Sequence, residues 1–326
     1  MTPLVELNGV TKDFRGKEGR SLRAVDGVSL DLMPGETLGI VGESGSGKST
    51  LARLILGLHV PSAGSVRFEG ADIATLPAGE MRQLRRHMQP IFQDPYASLD
   101  PRFTVGASIG EPLVIHGIGD RASRRRRVAE LLDIVGLEGD AAGRYPHEFS
   151  GGQRQRIGIA RAIALEPKLI VADEPVSALD VSIQSQILNL LIELKALLNL
   201  SYVFISHDLA VVEHISDRVA VMYLGRVVEI AETATLYRHA AHPYTEALIS
   251  AIPQPNVESR RERIILPGDA PNPEEPPPGC PFHPRCPKTF ERCPREVPVT
   301  VDIGSSDSPH TVNCHLHAPA ANLIPE

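Results

Sequence analysis

Positive charge is not in excess in this chain. Lys and Arg number 33 against 40 Asp and Glu, for a formal net charge of −7, so no global basic field argues for binding to duplex nucleic acid. Long apolar runs are missing too: no stretch reads as the roughly 20 residues that a membrane-spanning helix requires. The segment Met1 to Val10 lacks a charged region followed by an apolar one, so no secretory leader is expected. These absences predict a cytosolic chain, at a membrane only where a partner holds it there. Cysteine is absent before Cys280, and all four cysteines fall between Cys280 and Cys314. Such clustering in a cytosolic chain favours metal binding over a disulfide framework. What is present is ordinary for a globular protein, with 42% apolar and 22% charged residues over 326 positions. That length suits one large domain with an appendage, or two domains.

Three textures follow one another. Up to about residue 80, short β-patterned runs at Leu4–Val10, Leu30–Leu32 and Val66–Phe68 are broken by Gly and Pro turns. Thr37–Val41 is a short apolar run closed by Gly42. From about residue 81 to about 165 the pattern is helical, and Arg121–Val135 ends at Gly136, placed as a C-cap. The Arg124–Arg127 run reads as a solvated helix face. An α/β texture then returns, with strands at Leu169–Ala172, Val203–Ser206 and Val219–Tyr223 and a helix at Ile183–Leu198. Beyond about Pro253, Pro271, Pro273, Pro276, Pro277 and Pro278 crowd one segment, which excludes regular helix and interior strand there. The expected division is therefore a domain over 1–253, with its helical part over about 81–165, and a loop-rich tail over 254–326 stapled by something other than a hydrophobic core.

The strongest chemical signal is Gly42-Glu43-Ser44-Gly45-Ser46-Gly47-Lys48-Ser49-Thr50, which fits G-x-x-x-x-G-K-[ST] between a strand and a helix. The glycines let the backbone wrap closely around phosphates. The loop N–H groups and the helix N-terminus then face the anion. Lys48 would reach the β- and γ-phosphates, and the Ser49 hydroxyl would take a Mg²⁺ position. A second signal is the apolar strand Leu169–Ala172 ending in Asp173 and Glu174. In a doubly wound sheet, ligands gather at the carboxyl ends of strands. Asp173 suits Mg²⁺, and Glu174 suits a general base that polarises the attacking water. A third is Phe149-Ser150-Gly151-Gly152-Gln153, two glycines opening a helix and so another anion-ready N-terminus. One site on one chain does not need two phosphate cradles, whereas two chains packed head to tail would use both.

Together these residues resemble the ATP-binding-cassette ATPases. Their L-S-G-G-Q signature is matched at 149–153 with Phe149 for Leu, the Q-loop by Gln93, the D-loop by Ser177-Ala178-Leu179-Asp180, and the switch histidine by His207. Phe14 stands where the family places an aromatic on adenine, although an aromatic near a first strand also serves simply as packing. The resemblance implies an α/β fold: a P-loop NTPase (RecA-like) core, an antiparallel β subdomain and a helical signature subdomain, followed by the Pro/Cys-rich extension. It also implies that two cassettes close around two ATP molecules. Each ATP would touch the Lys48 loop of one chain and Ser150, Gly151, Gly152 and Gln153 of the other, with Asp180 nearby. Gln93, besides contacting Mg²⁺, would link the nucleotide to a membrane partner.

Further segments narrow the branch. Phe92–Arg102, Arg144–Glu148, His242-Pro243-Tyr244-Thr245 and Gly279–Pro287 are similar to the ATPases of oligopeptide and dipeptide importers, with Asp100 where Asn is more usual. Of their two ATPase subunits this chain resembles the second, F-type one. The branch implies a paired ATPase subunit, identical or different, two membrane permeases and, indirectly, an extracytoplasmic solute-binding protein. No nucleic-acid partner is implied, and the place is peripheral, on the cytoplasmic face of a bacterial inner membrane. Cys280, Cys286, Cys293 and Cys314 suit either tetrahedral Zn²⁺ or a [4Fe–4S] cluster. The absence of short C-x2-C knuckles and the branch's habit favour the cluster, and His283, His310, His315 and His317 are replacement ligands for zinc. A soluble cassette acting on DNA or ribosomes would more often carry two cassettes or a long coiled coil. A redox-sensing tail that regulates the cassette is a third reading.

Overall fold

The computed structural model describes residues 2–15, 21–94, 96–253, 262–305 and 308–318. Met1, Pro95 of the Gln93 segment, and the stretch that opens the expected tail beyond Pro253 lie outside the described residues.

The chain begins with β1 (Val5–Arg15) and β2 (Ser21–Leu32), paired antiparallel with Val5 opposite Leu32. Val5 and Leu7 alternate inward, but strict alternation would turn Val10 to solvent. A register shift between Leu7 and Val10, with Gly9 at φ 56°, returns Val10 to the core. After β3 (Thr37–Val41) and α1 (Lys48–Ile55), β4 (Ala63–Phe68) and β5 (Ala71–Asp72) complete a four-stranded sheet of order β2-β1-β4-β5.

α2 (Ala78–Leu84) leads to β6 (Met88–Ile91), and then to the helical lobe of α3 (Val105–Ile115), α4 (Arg121–Ile134) and α5 (Gly151–Ala162). β6 corrects the expectation of an all-helical stretch from about residue 81. The Gln-Pro pair in Met88-Gln89-Pro90-Ile91 hides the strand pattern, and Pro90 is tolerated because β6 is an edge strand, parallel to β7 (Leu169–Asp173) alone. The lobe packs Val105, Ile109, Val128, Leu131, Leu132 and Ile157 into the same apolar cluster as the main sheet.

The second half continues with α6 (Val181–Leu198), β8 (Ser201–Ser206), α7 (Leu209–Ile215), β9 (Arg218–Tyr223), β10 (Arg226–Glu232), α8 (Thr233–Arg238) and α9 (Pro243–Ser250). β11 (Val301–Asp302) and β12 (Thr311–Val312) close an eight-stranded sheet of order β11-β12-β10-β9-β3-β8-β7-β6. Every residue of β3 and β8 is buried, as strands covered on both faces must be. Register then sets the site. Val41 lies opposite Ser206, and Asp173 opposite Ile205. The residues just past these strands, Gly42, Glu174 and His207, therefore emerge side by side at one edge of the sheet.

α6 is, by length and composition, apolar enough to cross a membrane, contrary to the reading that no stretch reaches that length. Here Ile187, Leu188, Leu190, Leu191 and Leu194 sit in the core instead.

The tail differs from expectation in what fastens it. Phe282 is 1% exposed and packs its ring against Tyr223 at 5.2 Å, Tyr244 at 5.4 Å and His242 at 5.5 Å. Cys280 and Cys293 join the same core cluster, and β12 pairs with β10, with Glu229 opposite Val312. The Glu229 carboxylate, fully buried, accepts from the backbone N–H of Ala241 and His242 and meets His310 Nε2 at 2.7 Å. Hydrophobic burial and a shared sheet edge thus hold the tail, which proline content alone does not disclose.

Candidate nucleotide site

The loop between β3 and α1 is built around two glycines that nothing else can replace. Gly47 has φ 102°, and a Cβ there would come within 2.2 Å of the Ala24 carbonyl oxygen. Gly42 has φ 156°, and its Cβ would stand 2.2 Å from the Met222 carbonyl oxygen. α1 starts at Lys48 with no acidic residue in its first turn, which leaves its N-terminal dipole free for an anion. Lys48 Nζ donates to the carbonyls of Gly42 (2.7 Å) and Glu43 (2.9 Å), which aim it across the mouth of the loop. Burial lowers the Lys48 pKa, and the carboxylates of Glu174, Asp173 and Glu43 offset part of that effect. A buried ammonium of this kind gains by meeting a polyanion.

The acidic strand end faces the loop. Ser49 Oγ donates to Asp173 Oδ1 at 3.0 Å. Burial, foremost, raises the Asp173 pKa, and a cation here would oppose that shift by favouring the ionised form. Serine hydroxyl and aspartate oxygens are hard donors of the type Mg²⁺ prefers, so this pair fits that ion. Glu174 holds φ 49°, a left-handed conformation that costs a non-glycine residue energy and recurs at functional positions. Its carboxylate lies between two partners: Gln93 Nε2 donates to Oε2 at 2.9 Å, and His207 Nδ1 is 3.2 Å from Oε1. The cavity over the loop is lined by Ser44, Gly45, Gly47, Lys48, Ser49, Thr50, Gln93, Glu174 and His207. Leu22, Arg23, Ala24, Leu224, Gly225 and Pro273 complete its wall.

Other candidates lie elsewhere. Ser150 caps α5: its Oγ accepts from Gln153 N–H (3.3 Å), and Gln153 Oε1 accepts from Ser150 N–H (3.0 Å). A Cβ at Gly152 would reach 2.4 Å from Ile183, so this signature glycine packs against the start of α6. Asp180 caps that helix, accepting from Ser182 Oγ, foremost, and Ile183 N–H, which with further backbone donors hold its carboxyl below the usual range. None of Ser150, Gly151, Gly152, Gln153 and Asp180 lines the Lys48 cavity of the same chain. Phe14 meets His59 edge-on at 5.4 Å, with Lys12 Nζ 5.3 Å from its ring centre, and it does not line the cavity either.

The four cysteines are free thiols, and among the described residues no group of three or more His, Cys, Asp or Glu side chains is disposed to hold a metal ion. Burial, and then proximity to the other cysteines, pushes the Cys280, Cys286 and Cys314 thiols up, Cys314 to about 11. The expected iron–sulfur or zinc centre therefore has no support in this structure.

Sequence reasoning did not find Arg285 or Tyr244 beside the loop. Tyr244 Oη accepts from Glu43 N–H at 2.9 Å, and the Arg285 guanidinium grips the Glu43 carboxylate. No periodicity or spacing signals contacts across more than 200 residues. The tight Leu224-Gly225 turn, both at positive φ, was the readable clue to one wall of the cavity.

Residues 25–177 match the ABC transporter family, and residues 228–293 match the C-terminal region of oligopeptide/dipeptide transporters. A Brucella ovis protein named as a peptide import ATP-binding protein is 56% identical over 302 residues, covering 93% of this chain and 95% of that one. Oligopeptide transport ATP-binding protein AppF of Bacillus subtilis is 50% identical over 324 residues, covering 97% and 98%. Among solved structures, the dimeric post-hydrolysis state of the cassette MJ0796 bound to ADP and Pi superposes with a TM-score of 0.64. It is 33% identical, covering 70% of this chain and 98% of that one.

Proposed function

The chain belongs to the ABC transporter family of ATP-hydrolysing cassettes, and from that premise we propose that it powers the import of di- and oligopeptides. The observation that carries the substrate class is the match of residues 228–293 to the oligopeptide/dipeptide transporter C-terminal region, in line with the names of relatives at 50–56% identity.

In this reading ATP seats its phosphates on the N–H groups of residues 44, 45 and 47–49, those of Glu43 and Ser46 being taken within the protein, with Lys48 turning from the loop carbonyls to the β- and γ-phosphate oxygens. Ser49 and Asp173, with Gln93, would hold Mg²⁺, which would supply charge neutralisation for the phosphates. Glu174 takes the proton of the attacking water as general base. Gln93, hydrogen-bonded to one of its oxygens, and His207, 3.2 Å from the other, keep the carboxylate aimed and couple it to the triphosphate. The signature segment at Ser150–Gln153 lies outside its own chain's cavity and serves a sister cassette packed head to tail. Binding energy for the γ-phosphate pulls the two cassettes together, and its loss lets them part. Exposed Phe92, Tyr96 and Phe103 around the Gln93 loop give an apolar face for the membrane subunits. The paired partner is a second, different ATPase subunit, with two permeases, on the cytoplasmic face of the bacterial inner membrane.

Proteoliposomes carrying the assembled transporter provide the test. With wild-type chain, Mg·ATP should drive peptide uptake. Glu174→Gln should still bind Mg·ATP, accumulate ATP-bound dimers and lose about 100-fold or more in turnover. Unchanged turnover removes Glu174 as the base, and uptake of a non-peptide cargo in place of peptides removes the substrate assignment.

A further inference from the structure

Glu43 is out of place. It puts a carboxylate in a loop shaped to receive a triphosphate, and its charge reaches the Lys48 ammonium. Its backbone is fully engaged in that loop, the N–H by Tyr244 Oη and the C=O by Lys48 Nζ and Ser46 N–H. The carboxylate is taken by Arg285, from a turn of the C-terminal extension 242 positions away. Nη1 donates to Oε2 at 2.8 Å and Nη2 to Oε1 at 3.2 Å, a fork-to-fork pair. Nε donates to the Pro267 carbonyl at 3.3 Å, and the arginine is 7% exposed. The Tyr223 hydroxyl stands close by without a well-formed hydrogen bond.

We propose that Arg285 is a positioning residue for nucleotide: by neutralising Glu43 and pinning its side chain away from the mouth of the loop, it lets a loop with a built-in acid accept a triphosphate. This rests on the reading that the Lys48 loop holds ATP, and it gives the extension a part in nucleotide affinity. A freed Glu43 carboxylate would repel ATP, and repel ADP less because ADP carries less charge. It would also be free to bond to Lys48 in competition with phosphate.

The test is calorimetric titration of the purified full-length chain with Mg·ATP and Mg·ADP. Arg285→Ala should raise the Kd for ATP about fivefold or more, and that for ADP by less. Adding Glu43→Gln to Arg285→Ala should bring the ATP Kd back to within about twofold of wild type, because the acid that needed masking is gone. Should the alanine variant not fold, Arg285→Gln against Arg285→Gln/Glu43→Gln makes the same comparison. Wild-type affinity in the arginine variants overturns the proposal. So does a defect that Glu43→Gln fails to rescue, since Arg285 would then serve only the fold of the extension. Failure of the wild-type chain to bind Mg·ATP would overturn the nucleotide-site reading along with it.

Discussion

His242 makes stability depend on pH in a way that can be isolated. It is fully buried at the start of α9, where its Nδ1 accepts from Tyr244 N–H at 3.1 Å and so must be unprotonated. Burial, opposed by Glu229 and reinforced by His317, pushes its pKa from 6.5 to about 4. Protonation therefore favours the unfolded chain: stability is complete above about pH 6.5, falls as pH drops below it, and the loss levels off near pH 4. With these two values the unfolded chain gains about 2 kcal/mol over the folded one between about pH 7.5 and about pH 5. His242→Asn keeps an N-cap acceptor and removes the titration. Urea unfolding of both proteins at the two pH values is the assay. Wild type should lose about 2 kcal/mol more than the variant, while carboxylates such as Glu229 titrate in both. Equal losses would refute the claim that His242 is held neutral by burial.

Phe282→Ala should cost about 3–5 kcal/mol, because an almost fully buried ring leaves a cavity between Tyr223 and Tyr244. Thermal unfolding would show the drop, and an unchanged melting temperature would mean that the extension is not docked through this ring. Gly47→Ala should leave the far-UV circular dichroism native yet weaken Mg·ATP binding about tenfold or more, a loss of at least about 1.4 kcal/mol. The strain of φ 102° and the 2.2 Å approach to the Ala24 carbonyl must be relieved by moving the loop. Undiminished affinity in a titration would show that the loop tolerates a side chain.

What the sequence by itself determined is local. A glycine-rich turn before Lys48, an apolar strand ending in Asp173 and Glu174, and a Ser150–Gln153 helix start are legible because each is complete within about ten residues and each residue type has its own mechanism. Strands such as Thr37–Val41 announce themselves because burial on both faces demands an unbroken apolar run. What only the tertiary structure decided is set by register and long-range packing. Parallel pairing of β3, β7 and β8 places residues 42, 174 and 207 at one edge, and a slip in that pairing would scatter them. β6 escaped notice because Gln89 and Pro90 interrupt its pattern, and its two buried residues join different clusters, Ile91 that of the helical lobe and Met88 that of the N-terminal sheet. The tail, proline-rich in sequence, is fastened by Phe282, β12 and the Glu229–His310 pair, and it reaches the phosphate loop through Arg285. Such contacts depend on where distant segments meet in space, and no local propensity encodes that meeting.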